Sequence, residues 1–303
     1  MVLVSVIVPA YRAEATIARA VASVLGQSLA ELEVVIASDD GVDYLAVLAA
    51  AGLRDQRLRQ VMTGGIATGE GPARNAAVAV AAGTLIANLD ADDAFAPERL
   101  AVLAPLALAH GAATDATQVL DETERPVRTP FPEIDPAGPP FEMTPARVLG
   151  PRVPFFPVFR RELAGTGWTA VPFAADVLFN LELGCRAQRY MASPRPLYRY
   201  IKTTGSITQS ADTAAVAETG YAAILGLLDS GALNLTPAVR AAAIDEFSAN
   251  RALNRLFAVW HRDGRVDSLD GFLALTENGR AAWVPAALAD LAAAAAASPL
   301  GGD

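Results

Sequence analysis

Four short runs separated by helix-like segments leave this chain few ways to fold. Val2–Val8 and Glu33–Ala37 read as fully buried strands, and Arg57–Val61 and Thr84–Leu89 continue the series. Between the first two, Ala15–Leu25 sets Ile17, Val21, Val24 and Leu25 at i, i+4, i+7 and i+8, one apolar stripe of a helix. Tyr44–Ala51 reads as a second helix closed by Gly52. Gly64–Gly71 is a glycine-rich loop; Pro72 sits where a helix accepts its first residue, and Ala73–Ala82 follows as that helix, ended by Gly83. Strand and helix in strict alternation predict a mostly parallel α/β sheet covered by helices on both faces. Such sheets bind ligands at the carboxyl ends of their strands. Pro9 and Tyr11 follow the first strand, Asp39 and Asp40 the second, and Asp90 and Asp92 the fourth.

The chain's 303 residues suit one large α/β domain plus an extra element. Apolar residues make up 52%, enough for a real core, and the net charge of −9 argues against a duplex nucleic-acid partner, which needs phosphates neutralised by Lys and Arg. Cys185 is the lone cysteine, so no intrachain disulfide can form, and a packed or bystander thiol is expected there. The start lacks the basic leader of a signal peptide, and no run approaches the ~20 apolar residues of a membrane span. A cytoplasmic protein is expected, free or peripheral to the inner face of the membrane. The final segment itself carries little to dock there, since Arg280 is its one basic residue.

Ten of the 20 prolines fall between Pro126 and Pro157, which predicts an irregular excursion that shapes a second substrate's pocket. After Ser210 the chain is Ala-rich and helix-periodic. Leu225, Leu228, Ile244, Phe247, Leu253, Leu256, Phe257 and Trp260 are expected in its core, and Trp283 likewise. A homodimer through these helices is a further expectation.

Asp90-Ala91-Asp92-Asp93 puts three mutually repelling carboxylates at a strand end. A divalent cation, Mn²⁺ or Mg²⁺, bridging them to a ligand phosphate would make that arrangement favourable. The competing reading is an acidic turn with Asp93 capping a helix that begins near Pro97. Asp39 and Asp40 fit either a turn or a hydrogen bond to a nucleobase imide. Arg74, read in the first turn of its helix, suits a phosphate. Asp176 on its own reads as a helix N-cap before Val177.

Val4–Glu14 (VSVIVPAYRAE), Ala22–Ser28 (ASVLGQS), Gly71–Ala76 (GPARNA) and Leu89–Asp93 (LDADD) resemble, in order and spacing, the family 2 glycosyltransferases of GT-A fold. The similarity runs over roughly residues 3–208. It implies an inverting transfer of sugar from a nucleotide diphosphate donor, a UDP-sugar by its nucleotide motifs, to an acceptor hydroxyl. Pro9, Tyr11 and Glu14 would line the nucleotide pocket, Asp39 (or Asp40, one residue on) would meet the base, and Arg74 would lie near the diphosphate. Asp90 and Asp92 would contact the ribose and the metal. Val158–Leu163, Gly165–Trp168 and Ala174–Phe179 resemble the family's acceptor half, in which Asp176 takes the place of the general base, with Ala175 where the family usually carries Glu. Tyr198–Thr208 resembles the loop over the donor, with Lys202 and Ser206 as diphosphate contacts and no histidine for the metal.

The resemblance divides the chain into a GT-A domain, 1–210, and a helical C-terminal region, 211–303. The domain comprises a nucleotide-binding half, 1–115, and an acceptor half, 116–210. A glycan, a lipid-linked sugar or a small molecule would each serve as acceptor. The rival class is a nucleotide-sugar-binding module without transferase activity, which would bind nucleotide and release no sugar. A dinucleotide oxidoreductase is excluded because no G-x-G-x-x-G follows the first strand.

Overall fold

A computed structural model describes residues 1–121, 123–128, 131, 133–150, 153–202, 213–277, 279 and 281–297. Two compact units divide the chain, Met1–Thr203 with Asn234–Val239, and Thr204–Leu233 with Arg240–Asp303.

The first unit runs β1 (Val4–Ala10), α1 (Ile17–Leu25), β2 (Leu32–Ser38), α2 (Tyr44–Ala50), β3 (Leu58–Met62), α3 (Glu70–Val80) and β4 (Leu85–Asn88). It continues with β5 (Ala94–Phe95), α4 (Arg99–His110), β6 (Gly111–Leu120), β7 (Pro126–Arg128), β8 (Phe141–Glu142), α5 (Pro145–Leu149), β9 (Val158–Arg160), α6 (Ala175–Arg186) and β10 (Arg189–Ile201). The sheet order is β3-β2-β1-β4-β9-β6-β10-β5, with β7 beside β6 and β8 beside β10. β1 pairs in parallel with β2 and with β4, and β2 with β3. β9 is antiparallel to both β4 and β6, so the sheet is mixed beyond β4. The chain winds outward from β1 to β3 and then returns to β1's other side. That reversal opens a crevice between the carboxyl ends of β1 and β4.

β1 and β2 are buried on both faces, which is why they read as near-continuous apolar runs. α1 turns Ile17, Val21 and Val24 onto that core, as its stripe predicts.

Three local expectations are corrected. α3 begins at Glu70, not Ala73, so Pro72 sits third in the helix and Arg74 lies in its second turn. Pro is tolerated there because first-turn amides have no intrahelical acceptor. α3 also ends at Val80, well before Gly83. Gly83 is required for a different reason: a Cβ there would lie 2.6 Å from the Ser5 amide. The third correction concerns α4, which starts at Arg99 after Glu98, so Asp93 caps nothing. The proline-rich stretch does carry short elements, β7, β8 and α5, and it buries Phe131 against Phe155, centroids 5.6 Å apart.

One buried carboxylate ties β1, β2 and the α3–β4 turn together. Glu33 accepts from Ser5 Oγ at 2.6 Å, from the Ala82 amide at 2.6 Å and from Arg59 at 3.1 Å. Burial pushes its carboxyl up, but these donors outweigh it and hold it below its ordinary 4.5. A lowered folded pKa contributes stability above the unfolded value, lost as pH falls through the folded one. Glu33→Gln should therefore lower stability at pH 7 and narrow the gap from wild type below about pH 4, as read by denaturant midpoints across pH.

The second unit holds α7 (Thr213–Ser230), most of α8 (Pro237–Arg262), α9 (Leu269–Leu275) and α10 (Val284–Ala297). Leu228, Phe247, Leu253, Leu256 and Phe257 are buried there, while Leu225, Ile244 and Trp260 are half-buried. Trp283 departs from the expected core position: it is 40% exposed and stacks face to face on Trp260, centroids 5.2 Å apart. Among the described residues no helix is long and apolar enough to cross a membrane.

Candidate active site

At the end of β4 the chain turns through Leu89–Asp93 into β5, and the three carboxylates separate by direction. Asp93 is fully buried, accepting from the Ile201 amide and the Tyr198 hydroxyl, each at 2.8 Å. The same hydroxyl accepts from the Asp90 amide at 3.1 Å, so Tyr198 clamps both ends of the turn. Burial, then the charges of Asp92 and Asp90, push the Asp93 carboxyl well above the usual range. Arg19 of α1 donates to the Asp92 carbonyl. Asp92 is half-buried, and Asp90 keeps 22% of its side chain exposed. The acidic turn thus buries Asp93 against β10 and leaves the Asp90 and Asp92 side chains partly accessible.

Arg74 reaches this turn from α3. Its side chain is 1% exposed, and Nη2 contacts Asp90 Oδ1 at 2.6 Å and the Glu70 carboxylate. Nε and Nη1 are buried without a hydrogen-bond partner. Burial would lower its pKa, but Glu70, Asp90 and Asp176 outweigh that, so the guanidinium stays charged. One cation among three carboxylates leaves a local negative excess, with two guanidinium donors still to be used.

Asp176 lies in the first turn of α6, one residue inside the helix rather than at its cap. The cap position is Ala174, held at φ 58°. Asp176 is half-buried, and Ala175 beside it is buried. Burial raises the Asp176 carboxyl above 3.8 and Asp90 adds to this, while Arg74 and the Val177 amide pull it back. Tyr200 of β10 faces the same group: burial, then the charges of Asp93, Asp90, Asp92 and Asp176, push its phenol up. Arg74, Asp90, Asp92, Asp176 and Tyr200 therefore share one electrostatic neighbourhood.

Near the carboxyl end of β1, Pro9 is half-buried, Tyr11 beyond it is 43% exposed beneath the Arg12 guanidinium, and Glu14 is exposed. Asp40 orders this turn, accepting from the Arg12 amide at 2.6 Å and the Tyr44 hydroxyl at 2.7 Å. Asp39 is 3% exposed and accepts from Thr63 at 2.7 Å, the Gly69 amide at 2.9 Å and Thr68. Both carboxylates organise loops, Asp39 the 63–69 loop and Asp40 the one bearing Tyr11. Lys202 follows β10 half-buried, its amide donating to Leu120 at 2.9 Å. Ser206 lies outside the described residues.

Sequence reasoning assigned no role to Arg19, Glu70, Asn75, Tyr198 or Tyr200. Asn75 and Tyr198 stand within recognised motifs, but what they touch depends on segments some hundred residues away.

Among the described residues no three His, Cys, Asp or Glu side chains gather into a metal cluster. A divalent ion suits what is present nonetheless. Mg²⁺ and Mn²⁺ accept one or two carboxylates and complete their shell with phosphates and water. The half-buried Asp92 and the partly exposed Asp90 are such a pair, and Arg74 occupies only Oδ1 of Asp90.

A Rossmann-like parallel half ending in an acidic turn, continued by a mixed sheet, is the architecture of the GT-A class. The model of glycosyl transferase family 2 matches residues 5–165, more than half of the chain, and the chain belongs to that family. Over 98 residues it is 38% identical to the UDP-Glc:alpha-D-GlcNAc-diphosphoundecaprenol beta-1,3-glucosyltransferase WfgD of Escherichia coli, covering 32% of this chain and 38% of that protein. Over 127 residues it is 38% identical to the succinoglycan biosynthesis protein ExoO of Rhizobium meliloti (strain 1021), covering 41% and 36%. Each match spans well under half of the relative's length. Among solved structures, S. aureus TarS 1-349 in complex with UDP-GlcNAc aligns with TM-score 0.58 at 20% identity, over 84% of this chain and 72% of that one. The mannosyltransferase PcManGT from Pyrobaculum calidifontis, in complex with GDP-Man and Mn²⁺, aligns with TM-score 0.52 at 18% identity, over 98% and 81%. At these identities the structures show a shared fold.

Proposed function

We propose that this chain transfers a hexose from a UDP-sugar to an acceptor hydroxyl with inversion at the anomeric carbon. The observation that carries this reading is the placement of Arg74. A buried guanidinium with two unpaired nitrogens contacts Asp90 and lies in the field of Asp176, which supports reading a phosphate site beside a base. UDP is preferred as the nucleotide because the name of WfgD specifies UDP-Glc.

In this mechanism Tyr11 packs against the base, with Pro9 and Glu14 lining the same pocket. Asp39 accepts from the base with the lone pairs its loop contacts leave over, and Asp40 holds the Tyr11 turn. Arg74 directs Nε and Nη1 at the diphosphate, with Lys202 and Ser206 as further contacts. Asp92 and Asp90 would hold Mn²⁺ or Mg²⁺, which supplies positive charge to the departing diphosphate. Asp176 removes the acceptor proton as the hydroxyl oxygen attacks, and its raised pKa improves it as a base. Approach opposite the leaving group inverts the anomeric centre through an oxocarbenium-like state. Residues 1–210 carry this chemistry, 1–115 binding donor and 116–210 acceptor. A lipid-linked sugar is the acceptor class we favour, on the same relative's name.

Calorimetric titration with UDP and GDP, with and without Mn²⁺, tests the donor site. UDP should bind more tightly than GDP, and either omitting Mn²⁺ or making Asp92→Ala should weaken it by about tenfold or more, the worth of one charge-assisted contact. Equal affinity with and without both would overturn the assignment. Nucleotide binding with no sugar release from UDP-sugars would point instead to a binding module.

A further inference from the structure

We infer that Asn75 is a positioning residue that fixes the phosphate-binding helix against the segment presenting the proposed base. The inference rests on the transferase reading above. Asn75 directly follows Arg74 on α3. Its Nδ2 donates to the Trp168 carbonyl at 2.8 Å, and the Trp168 amide donates to its Oδ1 at 2.8 Å. One side-chain amide therefore satisfies both backbone groups of a single residue, as a neighbouring strand would. Two good hydrogen bonds on one planar group fix orientation as well as distance.

From Trp168 the coupling passes by packing. The Trp168 ring stacks on Phe179, centroids 3.8 Å apart and planes 13° from parallel. Phe179 lies on α6 one turn beyond Asp176. Arg74's guanidinium sits 5.8 Å from the Trp168 ring centroid, so the same indole touches the cation and the helix of the base. A carboxamide is thus linked to a carboxylate through one stacked pair, all within the first unit.

The approach demands glycine at 167 and leaves little room at 71. A Cβ on Gly71 would lie 3.2 Å from the Thr169 carbonyl and 3.3 Å from Trp168 Cβ. Gly167 holds φ +82°, and a Cβ there would sit 2.1 Å from Asn75 Oδ1. Glycine at both positions lets α3 and the 165–169 loop close on one another. Ala174, left-handed at φ 58°, then turns the chain into α6. The loop between the clip and the base is therefore pinned at its start and strained at its end.

The consequence is separable from donor binding. Arg74 keeps its ion pairs to Asp90 and Glu70 when the Trp168 contact loosens, whereas the helix of Asp176 is reached from the clip only through Trp168 and Phe179. Loss of the clip should misplace the base by a fraction of an ångström to an ångström, for which rate losses up to about 10²-fold are expected.

The test compares wild type with Asn75→Ala and Asn75→Asp. The readouts are UDP affinity with Mn²⁺, the rate of sugar release from UDP-glucose and UDP-GlcNAc, and amide exchange over residues 166–176. Asn75→Asp keeps the acceptor for the Trp168 amide but turns a negative oxygen toward its carbonyl. Both variants should bind UDP within about threefold of wild type, release sugar at least about tenfold more slowly at saturating donor, and lose exchange protection in 166–176. A fall in UDP affinity matching the fall in rate, or an unchanged rate, would overturn the positioning role. Unchanged protection in 166–176 would overturn the clip itself. A wild type that binds no UDP fails the donor reading instead, and the exchange comparison still decides whether Asn75 pins the loop.

Discussion

Asp176→Asn should lower transfer by about 10²- to 10⁴-fold, the usual contribution of a positioned general base, while UDP binding stays within a few-fold of wild type. Asn has the shape of Asp and removes only the proton-accepting charge. The side chain is half-buried in the first turn of α6, and Arg74 keeps its direct contacts to Asp90 and Glu70 without it, so the variant should fold. The pH dependence has a definite sign. Burial, with a smaller push from Asp90, raises this carboxyl above 3.8, and only its ionised form accepts a proton. The wild-type rate at limiting donor should therefore fall as pH drops through that raised value, and the residual rate of Asp176→Asn should lose this acid limb. The comparison is a pH profile of UDP release at limiting donor for both proteins. A variant that retains the limb would place the base elsewhere. Equal loss of UDP affinity and rate would instead show that the mutation had disturbed the Arg74 cluster, since Asp176 is one of the three carboxylates around that cation.

The sheet was legible because its information is local. Val4–Ala10 and Leu32–Ser38 announce themselves through short, largely apolar runs, and the α1 stripe through its period. Together they predict the parallel half, in which β1 pairs with β2 and β4, and β2 with β3. The start of α3 is hidden in the sequence because Gly69 and Glu70 continue a glycine-rich loop, whereas in the fold Gly69 is the N-cap and Glu70, paired with Arg74 one turn on, is the first helical residue. Asp93 was read with its two neighbours as one acidic patch. Its partners, Tyr198 and Ile201, stand more than a hundred residues on, and no spacing rule connects them. The same holds for Asn75 and Trp168, separated by 93 positions. Motif residues could be found in the sequence, but the residues that hold them in place are defined by tertiary contact.

Arg99→Ala should destabilise the first unit by about 3–5 kcal/mol, because it strands a buried carboxylate. Arg99 and Asp115 are 0% and 1% exposed. Arg99 Nε and Nη2 meet Asp115 Oδ1 at 3.0 and 2.8 Å, and Nη2 also donates to the Phe156 carbonyl. Its guanidinium lies 4.3 Å from the Phe95 ring centroid and 5.0 Å from that of Tyr198. On the other side Asp115 Oδ2 accepts from the amides of Leu197, at 3.0 Å, and Tyr198. Those amides belong to the irregular stretch of β10 where its register on β6 shifts between Ser193 and Tyr198. The pair thus satisfies backbone that the sheet leaves unpaired, and it seats the residue whose hydroxyl clamps Asp90 and Asp93. An apolar double replacement, Arg99→Met with Asp115→Leu, removes the stranded charge but also takes the acceptor from two buried amides, so it should recover only part of the loss. At roughly 2–4 °C per kcal/mol, the single variant should melt about 10 °C lower, with the double variant between it and wild type. The damage should also reach the site, weakening UDP binding as the Tyr198 clamp loosens. A double variant as stable as wild type would mean that the β10 irregularity does not need this carboxylate. A single variant within about 1 kcal/mol of wild type would mean that water reaches Asp115 once the guanidinium is gone.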